Sequence, residues 1–298
     1  MSSILSIQNI TKYYGPVRAL NGVSFDVPEG SVFGILGPNG SGKTTLLSII
    51  LDVLKPNTGS FSWFGHPGSP EQRKKIGSLL ETPNFYHYLS ASDNLKITQA
   101  ISGRGVTSDI DKVLMKVNLY ERRKSSFKTF SLGMKQRLAV GAALLGEPQV
   151  LVLDEPTNGL DPVGIAEIRQ LIIELRNQGH TIIMASHLLD EVEKVCTHVA
   201  ILKTGNLLTT GDVEEVLMDE DVVEASAANL DALSSVLQQI SKNVTIDAAS
   251  KTVHAVLPKG TAKLDEINSF CFQKGVVLNH LLLKKKRLEA RFFELTNN

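Results

Sequence analysis

The residues best suited by type and spacing to do chemistry lie in Gly37-Pro38-Asn39-Gly40-Ser41-Gly42-Lys43-Thr44. The pattern is glycine, four residues, glycine, lysine, threonine, that of a loop that cradles phosphates. Gly37, Gly40 and Gly42 let the backbone approach a ligand closely, and successive N–H groups form an anion nest. Pro38 and Asn39 complete the loop and count among its expected ligand contacts. Lys43 is expected to bridge the β- and γ-phosphates of a nucleotide and the Thr44 hydroxyl to ligate Mg²⁺. Ser41 and Thr45 can add hydrogen bonds. A second candidate is Val150-Leu151-Val152-Leu153-Asp154-Glu155, an apolar run ending in two carboxylates. Open parallel sheets gather ligands at the carboxyl ends of their strands. Asp154 is expected to hold Mg²⁺ through water, and Glu155 to orient or deprotonate an attacking water. His187 follows a third apolar run and Ser186, read as exposed. It can donate to the γ-phosphate or to the water near Glu155, although a lone histidine is more often an ordinary surface or core residue.

These groups need elements to hold them. Residues 4–7 and 23–27 alternate apolar and polar side chains, as half-buried antiparallel strands do. Residues 32–36, 150–153 and 181–185 are apolar throughout and each precedes a helical pattern, which predicts a parallel sheet covered on both faces. The phosphate loop therefore follows a strand and opens a helix, expected over residues 43–54, whose positive end points at the bound phosphates. Between about 90 and 145 the pattern turns helical, as at 109–119 and 136–145, and reads as an insertion into the α/β core. After Leu217 the acidic Asp219-Glu220-Asp221 marks a boundary. Beyond it come strand 222–225, helix 230–240, strands 244–247 and 252–257, helix 263–274 and strands 276–283 and 288–295. Two split βαβ halves of this kind predict a ferredoxin-like α+β domain. The expected division is 1–217 and 218–298.

Composition narrows the class. With 298 residues, 42% apolar and 21% charged, the chain has the make-up of an ordinary globular protein with a real core. Lys+Arg and Asp+Glu number 31 each, so charge gives no pointer to nucleic acid, and none is expected as a partner. Cys196 and Cys271 are in no metal-ligand or redox spacing and read as packed residues of a reducing compartment. No secretory signal is seen at the start, and no apolar run approaches the ~20 residues of a membrane span. Any membrane role must come through a separate chain.

Between the phosphate loop and the carboxylate strand stands Ser131-Leu132-Gly133-Met134-Lys135-Gln136-Arg137. With it in place, residues 4–217 resemble the ATP-binding subunit of an ABC transporter, in which this signature opens a helix and binds the γ-phosphate held by the opposite subunit. The resemblance implies a P-loop NTPase core with an antiparallel β subdomain and a helical insertion. Ser131 and Gly133 are then the phosphate contacts made in trans. Asn158-Gly159-Leu160-Asp161 resembles the loop that crosses the dimer interface, and Asp161 joins the expected nucleotide contacts. Tyr14 resembles the residue that stacks on adenine; Tyr13 is the alternative, and core packing would explain either. ATP and Mg²⁺ are the implied ligands. Each site needs one element from each of two chains, so the chain should form a homodimer or a dimer with a related ATPase. It should sit peripherally on the cytoplasmic face of the membrane through an integral permease subunit.

The pattern departs from the family at three positions. Leu132 replaces a glycine and would limit how closely the backbone approaches the trans phosphate, retuning activity. Phe130 replaces a leucine. Glu81 stands where the family has a glutamine that contacts Mg²⁺ or the water, and a carboxylate there can still ligate the metal. Glu81-Thr82-Pro83 with the Ser-Leu-Gly-Met signature resembles the bacitracin-resistance and lantibiotic-immunity ATPases, whose partners are ABC-2 class exporters. Residues 83–88 (Pro-Asn-Phe-Tyr-His-Tyr) then lie where a permease helix would dock, or else pack on their own helices. Lys284-Lys285-Lys286-Arg287 reads as a solvated turn. The competing class is a soluble ABC-type ATPase with a regulatory role.

Overall fold

In the computed structural model, residues 2–80, 84–217, 220–258, 260–284 and 292 are described. They form two compact units, 1–212 and 213–298, so the contacts divide the chain a few residues before the expected boundary.

The first unit opens with the long strands β1 (Ser3–Tyr14) and β2 (Val17–Pro28), which pair antiparallel. Next come β3 (Val32–Leu36), buried at every position, and α1 (Lys43–Ile50). The helix is shorter than predicted, because Asp52 turns to a φ of 61° and ends it. Strands β4 (Thr58–Trp63) and β5 (His66–Pro67) complete a four-stranded sheet of order β2-β1-β4-β5. After α2 (Pro70–Lys74) and β6 (Ile76–Leu79) lies the helical insertion. It contains α3 (Ala91–Ser102), α4 (Thr107–Lys116), two 3-10 turns and α5 (Leu132–Leu144). The chain returns to the core through β7 (Val150–Asp154), α6 (Pro162–Asn177), β8 (Thr181–Ser186), α7 (Leu189–Val195) and the hairpin β9 (His198–Lys203)–β10 (Asn206–Asp212).

A six-stranded sheet of order β10-β9-β3-β8-β7-β6 results, parallel except for the β9–β10 pair. Its central strands β3, β7 and β8 are wholly buried, as their continuous apolar runs require. Leu46, Leu47, Ile49 and Ile50 of α1 share one core with Leu5, Ile7, Val23 and Phe25 of the antiparallel sheet and Phe33 and Ile35 of β3. Phe25 stacks on Phe33 with centroids 5.2 Å apart. The chain's single tryptophan, Trp63, is buried and donates its Nε1–H to the Ile50 carbonyl at 2.8 Å. It thereby satisfies a carbonyl that the end of α1 leaves open. α1 is therefore clamped at both ends, by Trp63 at its C-terminus and by the phosphate loop at its N-terminus.

In the insertion, Phe130 is buried against Phe127, 6.0 Å between centroids, so this departure from the family pattern is a packing residue. Phe85 and His87 also pack edge-on to Phe127, while Tyr86 and Tyr88 are exposed. Packing within the insertion thus accounts for Phe85 and His87, and Tyr86 and Tyr88 stand outside that packing. Ser186 is buried at the end of β8, where its Oγ accepts from Leu188 N at 3.0 Å; its expected exposure is corrected.

The second unit contains α8 (Val213–Leu217), β11 (Glu220–Ala227), α9 (Leu230–Leu237), β12 (Asn243–Asp247), β13 (Thr252–Pro258), α10 (Leu264–Gln273) and β14 (Leu278–Lys284). Sheet order β12-β13-β11-β14, antiparallel throughout, is the split βαβ topology expected from the pattern. Val223, Ala225, Leu233, Leu237, Val253, Ala255, Ile267 and Cys271 form its core. Both cysteines are free and buried. The predicted strand at 288–295 (apart from residue 292), the expected metal ligand Glu81, Thr82-Pro83 and the basic residues 285–287 lie outside the described residues. Among the described residues no helix is long and apolar enough to cross a membrane.

Candidate functional site

β3 delivers the chain to the loop and α1 carries it away, with Gly42 at the helix N-cap in the left-handed region at φ 105°. A side chain at Gly42 would place its Cβ 2.5 Å from the Ala19 carbonyl, and one at Gly37 would lie 2.4 Å from the Leu202 carbonyl. These two glycines are thus demanded by the loop's own packing on β2 and β9, in addition to any approach to a ligand. Gly205 N donates to Ser41 O at 3.0 Å, tying the loop to the β9–β10 turn.

Lys43 is 6% exposed. Its Nζ donates to the carbonyls of Gly37 at 2.8 Å and Pro38 at 3.3 Å. The same Nζ lies 3.7 Å from Glu155 Oε1. Glu155, one residue past β7, adopts a φ of 48°, a strained conformation for a residue with a side chain. Glu155 N donates to Ala185 O at 3.0 Å, and Glu155 Oε2 lies 2.8 Å from His187 Nδ1. The ends of β3, β7 and β8 therefore bring Lys43, Glu155 and His187 into one chain of polar contacts, with Asp154 buried beside them as the last residue of β7. Of these, Lys43 and Glu155 border a cleft of about 470 Å³ lined also by Tyr14, Asn39, Gly40, Gly42, Thr44 and Thr45, while His187 reaches it through Glu155. The buried hydroxyls Ser41 Oγ and Thr157 Oγ1 have no hydrogen-bond partner among the described residues.

Comparison with known proteins gives the family. Residues 20–158 match the family model described as ABC transporter. The chain is 42% identical to the bacitracin transport ATP-binding protein BcrA of Bacillus licheniformis, over 70% of this chain and 69% of that one. It is 41% identical to the lantibiotic transport ATP-binding protein SrtF of Streptococcus pyogenes, over 69% and 89%. With the ABC transporter ATP-binding protein YhcH of Bacillus subtilis it shares 35% identity over 99% of this chain and 97% of that one. The chain belongs to the ABC transporter ATP-binding family. Among solved structures, cbiO1 of Clostridium perfringens, part of the transporter complex cbiONQ, superposes with a TM-score of 0.66 at 30% identity, over 72% of this chain and 91% of that one. The fold is that of an ABC ATPase cassette, which binds nucleotide and couples its hydrolysis to transport. The likeness to YhcH continues through the second unit.

In this ABC ATPase the remaining expected site residues stand apart from the cleft. Ser131 is the N-cap of α5 and its Oγ accepts from Met134 N at 3.3 Å. Asp161 is the N-cap of α6, its Oδ1 accepting from Gly164 N at 2.9 Å, so helix capping accounts for its carboxylate within the chain. Gly133 lies against Gly164, and neither Ser131, Gly133 nor Asp161 lines the cleft. Tyr14 lines it and Tyr13 does not; Tyr13 lies under the Arg18 guanidinium, 5.4 Å from the ring centroid. Both rings are more than two-fifths exposed, at 46% and 42%, so core packing explains neither. Val17, Arg18, Ala19 and Thr204 also border the cleft and were not anticipated. A cation close behind Tyr14 was the available signal for Arg18; Thr204 enters only through the β9–β10 turn.

Proposed function

We propose that this chain powers an exporter that removes a peptide antibiotic or similar amphiphile, acting as a dimer on the cytoplasmic face of the membrane through a separate permease. The observation that carries the ATPase part of this reading is that Lys43 and Glu155 meet at the cleft, with His187 bonded to Glu155 behind them. Tyr14 stacks on the base of ATP, residues Gly37 to Thr45 hold the phosphates, and Lys43 exchanges a carbonyl of its own loop for the β- and γ-phosphates. Glu155 accepts a proton from the attacking water, while His187 holds that carboxylate by its 2.8 Å contact.

Thr44 and Asp154, with Glu81, would hold Mg²⁺. Hydroxyl and carboxylate oxygens suit this hard cation, which keeps few protein ligands. Bound there, Mg²⁺ neutralises charge on the β- and γ-phosphate oxygens. Ser131 and Gly133 lie away from the chain's own cleft and are available to the γ-phosphate of a second chain, with Asp161 at the crossing loop. ATP sandwiched in this way binds the closed dimer better than the open one, and hydrolysis removes that preference. The names of BcrA and SrtF support the cargo class and favour transport over a soluble regulatory role.

The test is deletion of the gene and complementation with the Lys43→Ala chain. Deletion should raise susceptibility to bacitracin or a lantibiotic. The wild-type chain should restore tolerance and co-purify with an integral membrane protein, and Lys43→Ala should not hydrolyse ATP. Near-normal turnover by Lys43→Ala refutes the site assignment, and unchanged susceptibility refutes the cargo class.

A further inference from the structure

Leu132 is the first residue of α5 and is 51% exposed. Its side chain turns onto the loop at 158–161, where a Cβ on Gly159 would stand 3.3 Å from Leu132 Cδ2. Gly159 itself has a φ of 72°, so its backbone is held in a region that a larger residue enters only under strain. One residue on, a Cβ at Gly133 would lie 3.9 Å from Gly164 Cα. Farther along α5, Arg137 Nε lies 3.4 Å from Glu167 Oε2 of α6. The start of α5 is therefore seated on the crossing loop and on the start of α6 by glycine-to-glycine packing, one leucine wedge and an ion pair.

The crossing loop is fastened to the backbone of Glu155. Asn158 N donates to the Glu155 carbonyl at 3.1 Å and Leu160 N to the Thr157 carbonyl at 3.3 Å. Glu155 holds its left-handed conformation between that bond and the one from its own N–H to Ala185 O at 3.0 Å. A residue in a sparsely populated conformation keeps it only while its surroundings impose it. Gly159, beside Leu132, directly follows Asn158, and Asn158 N is bonded to the Glu155 carbonyl, so the seat of the loop and the backbone of Glu155 are joined. A glycine at 132 would leave no side chain against Gly159.

We propose that Leu132 is a positioning residue for Glu155: it wedges the signature helix against the crossing loop and so sets where the carboxylate stands. The proposal rests on the reading of Glu155 as the group that activates water. It opposes the simpler view that Leu132 only obstructs a trans phosphate, because the two views predict opposite results when the side chain is removed.

The experiment compares full-length wild-type, Leu132→Ala, Leu132→Met and Gly159→Ala chains, singly and as the Leu132→Ala/Gly159→Ala pair. Displacement of a reacting group by a fraction of an ångström lowers turnover steeply. Leu132→Ala should lower kcat about tenfold with KM for ATP held within about twofold, and the unbranched Leu132→Met should recover most of the loss. The cost of Gly159→Ala should be smaller in the Leu132→Ala background, where the added methyl no longer meets Cδ2. An unchanged or raised kcat in Leu132→Ala overturns the proposal, as does a loss borne by KM. Glu155→Gln, tested in parallel, separates the two layers: hydrolysis at the wild-type rate there sinks the reading of Glu155 itself, whatever Leu132→Ala does.

Discussion

Glu155→Gln is the most searching perturbation of the site, because the side chain keeps its shape and loses only its charge and basicity. Glu155 Oε2 lies 2.8 Å from His187 Nδ1, a contact an amide can keep, and Oε1 lies 3.7 Å from Lys43 Nζ. Loss of a positioned general base costs about 10²–10⁴-fold in rate, or roughly 3–5.5 kcal/mol on the barrier. Binding should move the other way. Two unit charges 3.7 Å apart attract by about 4–5 kcal/mol at an effective dielectric of 20. Glu155 is one-fifth exposed, and desolvation and screening leave about 1 kcal/mol of this. Release of Lys43 from its carboxylate partner should therefore tighten ATP binding about fivefold. Single-turnover hydrolysis gives the first quantity and equilibrium binding of a fluorescent ATP the second. Size-exclusion chromatography at saturating ATP should show a stable dimer, because the closed state forms and cannot be hydrolysed open. A kcat within tenfold of wild type, or ATP binding weakened tenfold, would refute the reasoning.

In the second unit, Lys284 first, with His254 and His280 assisting, holds the Glu224 carboxyl down to about 2 from its usual 4.5. A depressed carboxylate contributes stability that is present above the unfolded-state pKa and is lost as pH falls through 4.5 toward 2. Because Lys284 and His280 are half exposed, the contribution is about 1–2 kcal/mol. Glu224→Gln should lower the midpoint of this unit's thermal transition by about 5–10 °C at pH 7. About two-fifths of that difference should be gone by pH 3.5, and a difference independent of pH would exclude the carboxylate charge as its source. Trp63→Phe should destabilise the first unit by about 1–3 kcal/mol, because the Ile50 carbonyl loses its 2.8 Å donor inside the core. A denaturation midpoint that does not move would show that another donor takes over.

The elements that were legible in the sequence are those whose environment is the same on every side. β3, β7 and β8 lie in the middle of the sheet, so their five or six consecutive residues are all buried, and an unbroken apolar run marks them. β6 passes unnoticed because Gly77 and Ser78 interrupt its apolar run (Ile76–Leu79) at the sheet edge. β4 carries only Phe61 and Trp63 as large apolar residues. The β9–β10 hairpin had a readable signal that was not used: the apolar Val199 to Leu202 followed by Thr204-Gly205, both at positive φ. α5 begins four residues before the predicted 136, because Ser131 is its N-cap and Gly133 sits in its first turn. The serine was the usable sign, and burial all round the helix hid its period.

Distances across the site are a different matter, since they belong to pairs that are remote in sequence. Lys43 and Glu155 each had a role readable from a local motif, but nothing local places them 3.7 Å apart or sets Glu155 at φ 48°. The same limit governs the second unit. Alternation along β11 shows that Val223 and Ala225 face the core and that Glu224 faces away. Which side chains meet Glu224 depends on strand order, and the order β13-β11-β14 puts His254 directly opposite it, with His280 and Lys284 diagonal to it on the other side. One carboxylate of β11 thereby joins side chains from both neighbouring strands. Exchange β12 and β14 in that sheet, and the alternation is untouched while His280 and Lys284 lose their partner. The charge cluster is therefore a property of the topology, and Glu224→Gln tests the sheet order as directly as it tests the carboxylate.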